Sequence, residues 1–276
     1  MPGLLLHLAL GSLWLSLVTA APAAAAPIDV RYAEGVTHGF LVVRAIDGDV
    51  LGEGDLLQVL RPPGHPQGQE GVESRLVLRF RDGSLYEETA RFSQQRVFTL
   101  LGYSLRQRGP TFPMELDVSL TREGDKGRYQ ARSRVPGEED QQDSGVVDMP
   151  ADVYSGMLTT LVKNLARGAR ETVHVLAFGP KPMLVQVEMA PAGDERISAG
   201  ERRVSATHFV LTPNLGLVRG TIARIIGKNP APYHCWIVTG DVPAFVNIDG
   251  ALFPGGPVWR IETVSPRPPA RGSAGR

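Results

Sequence analysis

Asp241 and Asp249 flank the apolar stretch PAFVNI, each within a turn-prone setting: Thr239-Gly240-Asp241-Val242-Pro243 and Asn247-Ile248-Asp249-Gly250. A spaced carboxylate pair can act as general acid and general base, and with His234 these two form the chain's candidate catalytic set, a hydrolase arrangement. Asp beside Gly is also ordinary turn chemistry. His234 adjoins Cys235, which suggests a thiol–imidazole pair. Strand geometry opposes it, because neighbouring side chains point to opposite faces and cannot bond each other. Cys235, between His234 and Trp236 in the apolar run YHCWIV, reads instead as a small buried hydrophobe. His38, His65, His174 and His208 are scattered, and their convergence is not legible in the sequence.

Other catalytic signatures are absent. The chain has no G-x-S-x-G elbow, no H-E-x-x-H and no C-x-x-C, and no clustered Cys/His set, so neither a metal nor a cofactor is expected. Gly220 to Lys228, GTIARIIGK, superficially suggests a phosphate loop. Its glycine spacing is wrong, and Asn229 stands where Ser or Thr would hold Mg²⁺, so it reads as a strand ended by a turn. The stretch Ala231 to Glu262 places Trp236, Phe245, Phe253 and Trp259 among Pro and Gly. Such a cluster can floor a ligand site or form a satellite core.

Charge is balanced, 29 Lys and Arg against 29 Asp and Glu, which gives no whole-chain footprint for nucleic acid or an anionic membrane. The 276 residues allow one large domain or two small ones. Residues 1–26 read as a signal peptide: Leu4 to Val18 is an apolar core of suitable length, followed by small residues, and cleavage after Ala20 fits the small-x-small rule. No Lys or Arg precedes that core, which keeps an uncleaved N-terminal anchor as the alternative. A bacterial periplasmic or secreted location is therefore expected, with no transmembrane span after cleavage. A single cysteine leaves packing, not a disulfide, to hold the fold.

The elements that must position these residues are mostly strands. Phe40 to Leu60 reads as a hairpin turning at Asp47-Gly48-Asp49 with a type I′ turn, and a second hairpin turns at Asp82-Gly83. Met114 to Leu120 alternates cleanly, apolar at Met114, Leu116, Val118 and Leu120. Within 146–170 the residues Val153, Tyr154, Met157, Leu158, Leu161, Val162 and Leu165 share half a helical wheel, predicting a helix over about 150–167. Asn164 lies at the edge of that arc, where it either faces a cavity or bonds a neighbouring backbone, the latter being the commoner arrangement. Stretches 61–74, 136–144 and 191–203 read as loops. The expected fold class is mainly β (α+β): a curved antiparallel sheet or half-barrel packed on one central helix, with additional C-terminal strands. The expected organisation is residues 27–200 as a β-rich domain, 201–264 as a C-terminal β extension of the same or a second small domain, and 265–276 as a disordered tail.

The segments MPADVYSGMLTTLVKNL, GLVRGTIARIIGKNPAPYHCWIV and DVPAFVNIDGALFPGGPVWRIE resemble an uncharacterised family of exported bacterial proteins, over roughly the C-terminal half. More loosely, a strand-rich sheet curved over one helix is similar to the half-barrel of periplasmic lipoprotein carriers. The leading functional expectation is a non-enzymatic envelope protein holding an apolar or lipid-like ligand between sheet and helix. Met114, Leu116, Met157, Leu161 and Leu165 would line the groove, with Trp236 and Trp259 nearby; the same residues would also suit a closed core. The alternatives are the hydrolase above, and an interaction module that presents its aromatic C-terminal part to an envelope protein partner.

Overall fold

The computed structural model describes residues 26–62, 71–178, 182–199, 202–214 and 230–265. Eight strands come first: β1 (Thr37–Ala45), β2 (Val50–Arg61), β3 (Gly71–Phe80), β4 (Leu85–Gln94), β5 (Phe98–Arg108), β6 (Glu115–Glu123), β7 (Lys126–Arg134) and β8 (Gln141–Asp148). One short helix, α1 (Leu158–Asn164), follows. Then come β9 (Glu171–Ala177), β10 (Met183–Ala199), β11 (Arg202–Asn214), β12 (Tyr233–Val238), β13 (Ala244–Gly250) and β14 (Trp259–Val264). All the described strands lie in one antiparallel sheet of order β8-β7-β6-β5-β4-β3-β2-β1-β14-β13-β12-β11-β10-β9. The sheet is open, because its edges β8 and β9 do not pair with each other.

Those two edges are consecutive along the chain, and this fixes the shape. Laid flat, fourteen strands would separate β8 from β9 by about 60 Å. Yet Val153, five residues beyond the end of β8, bridges His174 of β9, and five residues reach at most about 18 Å. The sheet must therefore curl until its edges nearly meet. Both ends of the crossing are pinned. On the β9 side, the Tyr154 amide donates to the His174 carbonyl at 2.8 Å and the His174 amide to the Asp152 carbonyl at 2.9 Å, while the His174 ring meets the Asp152 carboxylate at 2.6 Å. On the other side, Arg122 of β6 donates to the carbonyls of Leu100, Met149, Pro150 and Gly124.

Curling gives the sheet a dry inner face and a wet outer one. On β6, Leu116, Val118 and Leu120 are buried, while Asp117 and Ser119 alternate with them. The buried side chains form one core running from Ile28 to Ile261. Tyr154 is fully buried there, its hydroxyl donating to the Phe98 carbonyl and accepting from the Ile28 amide. Asn164 bonds neighbouring backbone: its Oδ1 accepts from the amides of Arg31 and Tyr32, and its Nδ2 donates to the Thr160 carbonyl. Outer-face ion pairs such as Arg75–Glu87, Arg79–Asp55 and Arg44–Glu262 run across strands; exposed pairs of this kind each contribute about 0–1 kcal/mol.

Several sequence expectations are corrected. The helix expected over about 150–167 spans only seven residues. Residues 149–154 spend their backbone groups on neighbouring elements instead of on a helix, and Gly156 adopts φ 73°, outside the right-handed helical region. A Cβ on Gly156 would also lie 3.2 Å from both Ala90 and Tyr103, so that turn is wedged against β4 and β5. Part of the expected loop 136–144 belongs to β8. The expected loop 191–203 is mostly a long two-stranded ribbon of β10 and β11, paired through Ala199↔Arg202. Its outer end has no dry face, so it carries no hydrophobic alternation to read. Both N-terminal hairpins use a type I turn followed by a left-handed glycine, Gly48 at φ 106° and Gly83 at φ 87°, not type I′, since among the described residues only glycines have positive φ. Residues 220–228, the signal segment up to residue 25 and the tail from residue 266 lie outside the described residues. No described helix is long and apolar enough to cross a membrane.

Arg122 should be the most sensitive exposed-to-half-buried position in the fold. Arg122→Ala is expected to destabilise the chain by about 2–4 kcal/mol, since several carbonyls lose a charged donor, as read from the urea midpoint. Arg122→Lys should recover less than half of that, because an ammonium cannot reproduce the planar fork.

Candidate functional site

Strand β4 reads LYEETARFSQ. Period-two alternation puts Tyr86, Glu88, Ala90 and Phe92 on one face, and Tyr86, Ala90 and Phe92 are buried. Glu88 shares that inner face. Its cross-strand neighbours are Leu76 of β3 and Leu105 of β5, positions typical of a core. The Tyr103 hydroxyl donates to Glu88 Oε1 at 2.8 Å, and the Tyr86 hydroxyl lies close enough to influence the same carboxyl. Burial pushes the Glu88 carboxyl above its ordinary range, and the hydroxyls of Tyr103 and Tyr86 only partly offset that. Burial first, then the nearby Glu88 charge, pushes the hydroxyls of Tyr86 and Tyr103 well above their usual range, so both stay donors. No lysine, arginine or histidine among the described residues contributes to the titration of Glu88.

Glu88 borders a cavity of about 210 Å³. Tyr86, Tyr233 and Ser74 also line it, and its apolar wall includes Leu41, Leu56, Leu76, Leu158, Phe245 and Ile261. The cavity lies under the seam where β1 pairs with β14, between β1–β4 on one side and β12–β14 on the other, with Gly156 to Thr159 at the start of α1 forming a third wall. Tyr233 is positioned by two contacts. Its hydroxyl donates to the Ala251 carbonyl at 3.0 Å, and its ring lies against Gly250, where any Cβ would fall 2.0 Å from the ring.

The residues expected to line a ligand groove lie elsewhere. Met157 and Leu161 are fully buried in the core and Leu116 nearly so, while Met114 and Leu165 pack at its margin. None of the five borders this cavity; from that stretch Gly156, Leu158 and Thr159 do. The helix is shorter than the wheel implied, so the wheel's facing does not hold around Gly156. Trp259 is 7% exposed and joins Phe80, Phe112 and Phe253 in a ring cluster that belongs to the main core. Trp236 projects from the outer face. It stacks on His208 with 4.5 Å between ring centroids and donates to Glu195 Oε2 at 3.0 Å.

The three catalytic candidates do not assemble. Asp241 is exposed in the turn before β13, and Asp249 sits near the other end of that strand. His234 is the register partner of Asp249, but its Nδ1 meets His208 Nε2 at 2.9 Å. Asp249 is buried, and its two oxygens accept from Arg260 Nε and Nη2 at 2.8 and 2.7 Å. Both of its oxygens are thus occupied by one guanidinium, which leaves neither turned toward His234 or Asp241. Cys235 points into the core, fully buried, and burial pushes its thiol far up. Glu88, the functional candidate that sequence reasoning passed over, carried a usable signal: its parity with Tyr86, Ala90 and Phe92.

No family model matches the chain, and neither does any curated protein. Among solved structures, a match is the β-barrel-like protein of a domain of unknown function, DUF1849, from Brucella abortus. It is 8% identical, with 85% of this chain and 98% of that one covered, at a TM-score of 0.42. So distant a likeness carries no argument about function.

Glu88 should leave a signature in stability against pH. Its folded-state pKa lies above the ordinary 4.5, so between those two values the folded state binds more protons than the unfolded chain. Stability is then lost as pH rises from 4.5 through the folded value. Thermal melts of wild type and Glu88→Gln from about pH 4 to about pH 8 should show the variant gaining on wild type as pH rises. A difference in melting temperature that stays flat with pH would contradict the burial of this carboxyl.

Proposed function

We propose that this chain is a non-catalytic binding protein that holds a small apolar or amphipathic molecule in the cavity beside Glu88. The observation that carries the reading is that cavity: a mostly apolar wall with a few polar groups gathered on one part of it, the usual make-up of a small-molecule site. Its volume of about 210 Å³ is below the about 300–1,000 Å³ typical of drug-sized pockets. It therefore suits a single short chain or one small amphiphile better than a two-chain lipid. In this reading the curled sheet is a half-barrel, and the segment from Met149 to Leu165 is the element it wraps, with α1 supplying one wall of the site. The apolar N-terminal segment supports export, and we place the binding role in the bacterial envelope on that ground.

The reading is tested by purifying the protein natively, extracting it with organic solvent and analysing the extract by mass spectrometry. A stoichiometric small amphiphile is expected. In parallel, octanol is titrated into stripped protein by calorimetry, with wild type set against Leu158→Trp, whose larger ring fills the cavity from α1. The variant should melt within a few degrees of wild type and bind octanol at least about tenfold more weakly, a loss of about 1.4 kcal/mol. An empty extract together with no octanol uptake by wild type would refute the reading.

A further inference from the structure

We infer that the cavity selects a positively charged ligand, an alkylamine or alkylammonium, whose cationic head is paired by Glu88 and flanked by Tyr86 and Tyr233. This rests on the binding reading above and adds the chemical class of the occupant.

A carboxylate at a core position of a strand is costly unless something compensates its charge. Leu76 and Leu105 are the residues opposite Glu88 on either side, and the hydrogen-bond donor the chain supplies is neutral, the Tyr103 hydroxyl, with the Tyr86 hydroxyl nearby. Tyrosine hydroxyls satisfy lone pairs but cancel no charge. No described residue lining the cavity carries a counter-charge, and Glu88 borders the space in which a ligand would bring one. The groups around that space suit a cation. Tyr86, Tyr233 and Phe245 all border it, and aromatic faces attract ammonium groups, by roughly 0.5–2 kcal/mol depending on desolvation. Ser74 adds a hydroxyl that can accept from an N–H. The apolar wall, Leu41, Leu56 and Ile261 among it, is left for a short hydrocarbon tail. An anionic amphiphile such as a fatty acid would instead meet an unscreened carboxylate.

Three ligands with the same tail separate these possibilities: octylamine, octanol and octanoate, each titrated into the stripped full chain by calorimetry near neutral pH. Octylamine should bind at least about tenfold more tightly than octanol, and octanoate most weakly of the three. Glu88→Gln should erase the amine preference, bringing the octylamine-to-octanol affinity ratio to about one. A second measurement needs no variant. The titratable groups facing Glu88 are Tyr86 on its own strand, Tyr103 on β5 and Tyr233 on β12, all held protonated by burial. Glu88 is therefore the group that titrates on acidification, and the octylamine-to-octanol affinity ratio should fall toward one as it takes up its proton. Equal binding of octylamine and octanol by wild type, or a ratio unchanged by pH, overturns the cationic selectivity while leaving the cavity reading intact. Failure of all three ligands to bind removes the cavity reading and this inference with it.

Discussion

The two edges of the sheet are neighbours in the sequence, and the shortness of the crossing between them governs the rest of the molecule. Residues 149–154 must leave β8, collect the guanidinium of Arg122 and pair with His174 of β9 within a few peptide units. A flat sheet cannot satisfy that, so the strands curl. Once they curl, the inner face of most strands is shielded from water. The single core, the burial of Tyr154 and the position of α1 are consequences. The clamp itself is polar. It is made of backbone carbonyls and amides that would be orphaned inside the sheet if Arg122, Asp152 and His174 did not meet them.

The cavity arises from the same geometry. Chain order makes β1 meet β14, so residues from near both ends of the described chain face one another across a seam. At that seam the strands carry small residues and rings, Gly250 under Tyr233 above all, and α1 begins only at Leu158 because Gly156 breaks the turn before it. Into the cavity projects the half-buried carboxylate of Glu88, set between Tyr86 and Ala90 on the inner face of β4. Proteins rarely keep a lone acidic group at such a position without a use for it, because the apolar alternative packs better.

The outer face has a different economy. His208, His234, Trp236 and Glu195 form a connected polar and aromatic patch, and Asp249 with Arg260 forms a tight ion pair beside it. These groups answer one another. Among the described residues the interior carboxylate is answered by neutral hydroxyls, and that contrast directs attention inward, away from the aspartates that first suggested chemistry.

The sequence by itself determined the mainly β class, the alternation of Leu116, Val118 and Leu120 and the positions of both N-terminal hairpin turns, and it favoured the bonding of Asn164 to backbone without deciding it. Each follows from local spacing or from a residue's own chemistry. It also held Glu88 in register with Tyr86, Ala90 and Phe92, although a lone Glu in an alternating strand reads equally well as a solvated position. Only the tertiary structure decided how short the helix is, because strand-like bonding of Tyr154 to His174 competes with helical bonding, and that competitor lies across the sheet. Only it decided that β10 and β11 continue through a polar stretch, since pairing of backbones needs no hydrophobic pattern. The cavity, finally, depends on residues from β1 to β14 meeting at one seam, and no local pattern encodes a meeting of strands more than 200 residues apart.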